Sequence, residues 1–236
     1  MGRWRVRLAV VGAVVAALLL TPKDIPYDNA GIAFIGDSLT LGSDASSLSK
    51  TFFRLVTHDL DQRGVQEDAR LFISADPRFD LSAASQAAKR DRDVIIIELG
   101  IHAALDDAVT ADDFRVLYST LLNCVVGDDT IVVAGTVPWL GWDPGSDSYA
   151  RAEQFSQIIV EEAARKQVAV ADLWSATNLH AELISTPADH SFLPPYRGDN
   201  FHPNDVGHAV IAQVYENALA GELANPPERT YGRACH

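Results

Sequence analysis

From residue 31 onward the chain alternates short apolar runs with longer amphipathic ones, and this alternation constrains the fold more than any other feature. The strand candidates are Ile32–Ile35, Arg70–Ser74, Val94–Leu99, Thr130–Ala134 and Val168–Leu173. They are short, largely β-branched and mostly without polar alternation, as expected of strands buried on both faces. Helical periodicity fills the intervals near Leu48–Gln62, Leu81–Lys89, Ala111–Val126 and Ser148–Lys166, with a last helix at Asn204–Leu223. Asn204 is placed to cap that helix, with Pro203 just before it. Strict β-α alternation predicts an α/β fold: a three-layer α/β/α sandwich around a five-stranded parallel sheet. Functional groups of such a sheet gather at the carboxyl ends of its strands.

Length and composition agree. The 236 residues suit one domain, and 47% hydrophobic against 22% charged residues indicates a globular chain. The formal net charge of −13 argues against nucleic acid as a partner, because phosphates need a basic face. Residues 31–223 form the expected domain and 224–236 a tail.

The N-terminus differs from the rest. Arg3, Arg5 and Arg7 precede an unbroken apolar run from Leu8 to Leu20. A basic segment followed by such a run is the pattern of an export signal. As a helix the run would be about 20 Å long, short of the roughly 30 Å hydrocarbon core. Residues 1–23 therefore read as a signal peptide, with an N-terminal membrane anchor as the alternative, because no small-x-small cleavage site follows. Either way the domain is expected outside the cytoplasm, secreted or tethered to the outer face of the membrane. The two cysteines, Cys124 and Cys235, could pair in an exported protein or remain a buried thiol and a tail thiol. No His or Cys cluster has the spacing of a metal site, and no metal or organic cofactor is expected.

Three strand ends carry chemistry. Gly36-Asp37-Ser38-Leu39-Thr40 follows the first strand, Gly100-Ile101-His102 the third, and Asp199-Asn200-Phe201-His202-Pro203-Asn204 precedes the last helix. An Asp three residues before a His can hold Nδ1 of the ring and leave Nε2 free as a base. Ser38, His202 and Asp199 thus supply the parts of a nucleophile, a base and a residue that orients the base. The plainer alternative is a capping turn bearing a surface histidine.

GDSLT after the first strand together with D-x-x-H-P-N before the last helix resembles the SGNH (GDSL) hydrolase family, over roughly residues 31–222. The resemblance implies a flavodoxin-like strand order and hydrolysis of carboxylic esters through an acyl-enzyme. It also implies Ser38 as nucleophile, His202 as general base and then acid, and Asp199 as the orienting residue. Position 40 is Thr, so Ser38 is not in the G-x-S-x-G elbow of the α/β-hydrolase fold.

The oxyanion hole departs from the family pattern. The family uses the serine N–H, a glycine N–H after strand two and an asparagine side chain after strand three. Here Ser38 N–H is kept. No glycine lies between Gly64 and Gly100, so Arg78 is the expected backbone donor, and His102 stands in place of the asparagine. A histidine ring N–H can donate to an oxyanion. The alternative for His102 is a capping residue at a loop start. The expected substrate is a small-molecule, lipid or glycan ester. Two other readings remain open: a non-catalytic glycan- or lipid-binding envelope domain on the same fold, and an O-acyltransferase using the same serine. The tryptophans of Trp139-Leu140-Gly141-Trp142 could line a pocket, though an apolar loop packing on its own domain is the simpler reading. His58, His180, His190 and His208 read as structural or solvated.

Overall fold

The computed structural model describes residues 30–63, 67–73, 93–127, 130–186 and 200–224. Its five strands are β1 (Ala30–Gly36), β2 (Glu67–Ile73), β3 (Val94–Glu98), β4 (Ile131–Gly135) and β5 (Ala169–Ala171). They form one all-parallel sheet in the order β2-β1-β3-β4-β5. This is the doubly wound, flavodoxin-like order, with its switch point between β1 and β3. β3 and β4 are buried along their whole length, which is why, apart from Glu98 and Gly135 at their carboxyl ends, their sequences are runs of Val, Ile and Ala.

The helices are α1 (Ser38–Leu41), α2 (Phe52–Gln62), α3 (Ile101–Leu105), α4 (Ala111–Val125), α5 (Asp147–Arg165), α6 (Leu173–Thr177) and α7 (Asp205–Ala224). They cover both faces of the sheet, α2 packing with α7 on one and α4 with α5 on the other. Stacked rings lock each pair: Phe52 on Tyr215 at 5.5 Å between centroids, and Phe114 on Phe155 at 4.1 Å. The start of α4 is fixed by a capping box. The Thr110 hydroxyl accepts from Asp113 N–H, and the Asp113 carboxylate accepts from Thr110 N–H.

The structure adjusts several expected boundaries. β2 begins at Glu67 rather than Arg70, because the first three residues of this edge strand pair with Ala30–Ile32 although two of them are acidic. The helix expected over Leu48–Gln62 breaks at Thr51, whose extended backbone separates a 3₁₀ turn at Leu48–Lys50 from α2. α1, α3 and α6 are single short turns that no periodicity announces. The helix expected at Leu81–Lys89, the segment 1–23 and the tail from 225 lie outside the described residues. Cys124 is disulfide-bonded, and the chain's other cysteine, Cys235, lies outside the described residues. Among the described residues no helix is long and apolar enough to cross a membrane.

Candidate active site

β1 ends at Gly36, and the chain turns at once into α1. A Cβ on Gly36 would stand 1.9 Å from Thr40 Oγ1 and 2.8 Å from the Glu98 carbonyl oxygen, so only glycine fits where the turn crosses β3. Asp37 caps the turn by accepting from Leu39 N–H at 3.0 Å. Ser38 is the first residue of α1 and is half-buried at the carboxyl edge of the sheet.

His202 arrives from the segment before α7. Its side of the site is held by an antiparallel bridge between Ile184 and Pro203 and by Ser185 N–H donating to His202 O at 2.8 Å. Asn204 fastens the same turn twice. Its amide donates to the carbonyls of Glu182 (2.8 Å) and Ile184 (3.1 Å), while its oxygen accepts from Val206 and Gly207 N–H. Phe201 meets the His202 ring edge-on, and Trp142 packs against Phe201. The outcome is a hydrogen bond of 2.8 Å between Ser38 Oγ and His202 Nε2, across 164 residues of sequence.

Two further links tie the serine loop to the histidine segment. Ser185 Oγ donates to Asp44 Oδ2 at 2.5 Å, and Ser46 donates to Asp205 through both its N–H (2.8 Å) and its hydroxyl (2.6 Å). The sequence carried no local signal for these pairs, which lie 141 and 159 residues apart.

His102, the second residue of α3, is about one-third exposed and brings Nε2 to 4.0 Å from Asp37 Oδ2. The expected residues Ser38, His202 and His102 therefore gather around the end of β1. Asp199 and Arg78 lie outside the described residues. The buried carboxyls Asp37 and Glu98 were not singled out from sequence. A lone carboxylate closing the apolar run of β3 at its carboxyl end was the available signal for Glu98. Burial raises the Asp37 pKa above its ordinary value, opposed by the Leu39 hydrogen bond and the facing His102. Glu98 is pushed well above the usual carboxylate range by burial and then by the Asp37 charge.

The two tryptophans are core residues: Trp139 Nε1 donates to the Trp142 carbonyl at 2.8 Å, and both rings are buried. Of the other histidines, His58 and His180 are exposed and His208 is buried in the core, while His190 lies outside the described residues. Among the described residues no group of three or more His, Cys, Asp or Glu side chains could hold a metal ion.

A serine-bearing turn at the end of the first parallel strand faces a histidine from the last connection. Residues 34–210 match the family model described as the GDSL-like lipase/acylhydrolase family, and the chain belongs to that family. The family makes the protein an ester-bond hydrolase. Solved structures share the fold. The lipase/acylhydrolase from Enterococcus faecalis has a TM-score of 0.65 at 21% identity, covering 85% of this chain and 99% of its own. Axe2, an acetylxylan esterase from Geobacillus stearothermophilus, gives 0.61 at 16% identity, covering 84% and 97%. The acetyl xylan esterase AlAXEase gives 0.62 at 19%, covering 80% and 99%. No curated protein matches the chain.

Proposed function

We propose that the protein is an exported serine esterase that hydrolyses carboxylic esters through a Ser38-His202-Asp199 triad and an acyl-enzyme. The observation that carries this reading is the 2.8 Å hydrogen bond between Ser38 Oγ and His202 Nε2. In the first half-reaction His202 Nε2 takes the hydroxyl proton as Ser38 Oγ attacks the ester carbonyl. The tetrahedral oxyanion collapses, the alkoxide leaves with the proton from His202, and the acyl group stays on Ser38. Water then attacks with His202 again as base, releasing the acid and restoring the serine. Asp199, three residues before His202, would orient the ring and balance its transient charge.

The oxyanion would be held by Ser38 N–H, a backbone N–H near Arg78 and the ring of His102. The placement of His102 beside the Ser38 turn supports its share in this set. Removing one oxyanion donor typically lowers kcat by about 10²–10³-fold. Candidate substrates are short acyl esters, lipids and O-acetylated sugars. The basic and apolar N-terminal segment supports export, with the membrane anchor as the form that retains it.

The test is hydrolysis of a nitrophenyl ester series and of acetylated xylooligosaccharide, alongside fluorophosphonate labelling. The full chain is compared with Ser38→Ala and His102→Ala. We expect Ser38→Ala to lose both turnover and labelling, and His102→Ala to lose about 10²-fold in kcat while remaining folded. A folded wild type that neither turns over nor labels would refute the esterase and favour the glycan- or lipid-binding domain. Product esters formed with an added sugar acceptor would redirect the reading to acyl transfer.

A further inference from the structure

Behind Ser38 stand two carboxyl groups that the acyl-transfer steps leave unused. Asp37 and Glu98 are each 1% exposed. They sit side by side because Gly36, the residue before Asp37, is in register with Glu98 across β1 and β3. Each carboxyl has one satisfied oxygen: Asp37 Oδ1 accepts from Leu39 N–H, and Glu98 Oε2 accepts from the Thr40 hydroxyl at 3.1 Å. Both of these donors belong to α1, the turn that carries Ser38. The other two oxygens, Asp37 Oδ2 and Glu98 Oε1, have no donor among the described residues.

Two buried carboxylates would leave both those oxygens unmet and place two like charges together, a costly arrangement. One proton removes both costs. The side chains are within hydrogen-bond reach of each other, and a carboxyl-to-carboxylate bond needs a proton on one partner. We infer that Asp37 and Glu98 form a one-proton acid pair that positions the nucleophile turn: neutral Glu98 donates to ionised Asp37 and accepts from Thr40, while Asp37 caps α1 under Ser38. Both act through α1 and are positioning residues.

The surroundings fit a single shared proton. Tyr118 of α4 and Tyr215 of α7 face Glu98, and burial with the Glu98 charge pushes both phenols above their ordinary range, so neither supplies a charge. Tyr215 instead donates to Ile97 O at 2.9 Å. His102 of α3 and His202 before α7 face Asp37, not Glu98. Loss of the shared proton at alkaline pH would put a second negative charge behind the position where the oxyanion develops. It would also break the link between the two strand ends. Activity should therefore fall on the alkaline side as Glu98 ionises.

The role in turnover rests on the esterase reading; the shared proton does not, and it is measured separately. Infrared spectra of the full wild-type chain at pH 7 should show the carbonyl stretch of a buried protonated carboxyl, missing in Glu98→Gln and lost from the wild type on alkaline titration. In kinetics, Glu98→Ala should lower kcat at least tenfold at pH 7. Glu98→Gln, whose amide can donate to Asp37 and accept from Thr40, should recover most of that loss and abolish the alkaline fall of kcat. Absence of the infrared band in the wild type overturns the pair, as does an alkaline limb that Glu98→Gln leaves in place. A wild type without turnover that keeps the band refutes the esterase and retains the acid pair.

Discussion

His208 gives the sharpest quantitative test of the structure. It lies in the first turn of α7, fully buried, between the serine loop and α2. Nδ1 accepts from Phe52 N–H at 3.4 Å, and Nε2 donates to the Ser43 carbonyl at 3.0 Å. The ring also stacks on Phe52 at 6.3 Å between centroids. These contacts specify the neutral Nε2–H tautomer and leave no room for a second proton, since Nδ1 faces a donor. Burial lowers its pKa from 6.5 to about 4.

The sign follows from linkage. A depressed histidine pKa means that below pH 6.5 the unfolded chain takes up a proton that the folded chain refuses. Stability is therefore whole above pH 6.5 and is lost as pH falls toward 4. At 1.36 kcal/mol per pKa unit, a shift from 6.5 to about 4 amounts to about 3 kcal/mol. That is a large share of a typical 5–15 kcal/mol total. The assay is urea unfolding of wild type and His208→Gln between pH 7.5 and 4. The glutamine retains a donor for Ser43 but cannot titrate. At pH 7.5 the variant should be less stable by about 1–3 kcal/mol, from the lost ring packing and the unmet Phe52 N–H. By pH 4 the gap should close by about 3 kcal/mol, to parity or beyond. Subtracting the two chains cancels the carboxylates common to both. A gap that stays constant across this range would refute the assignment of a buried neutral His208.

Two further outcomes follow from the packing. Gly207→Ala would place a Cβ 2.2 Å from the Leu183 carbonyl oxygen and 2.7 Å from Pro203 Cβ, next to the turn that presents His202. It should cost roughly 3 kcal/mol by denaturant unfolding and lower ester turnover with it, and a near-neutral effect would contradict this close approach. Thr110→Ala removes the exposed cap of α4, whose hydrogen bonds stay within its own first turn; it should cost about 1 kcal/mol with kcat unchanged.

What the sequence made legible was decided by how local each cause is. β1, β3 and β4 could be read because burial on both faces leaves an uninterrupted apolar record in the residues themselves. β2 could be read only in part: it is an edge strand, its opening residues are acidic, and its pairing with β1 supplies what its composition does not. The short turns α1, α3 and α6 are too brief for a period to show and exist because caps and neighbours hold them. The same divide runs through the site. Ser38 and His202 stand out in the sequence because their turns have local spacing, one after a strand and one before a helix. Their 2.8 Å meeting depends on distant fasteners, Ser185 on Asp44 and Ser46 on Asp205, each side of which looks like an ordinary loop residue. Glu98 shows in the sequence only as a lone carboxylate ending an apolar run; its meaning comes from register, since the pairing of Gly36 with Glu98 sets it beside Asp37. A buried carboxyl pair is a property of two strands together. Sequence motifs identify the groups that would meet substrate, while the groups that hold them in place are set by pairing and packing and emerge only in the fold.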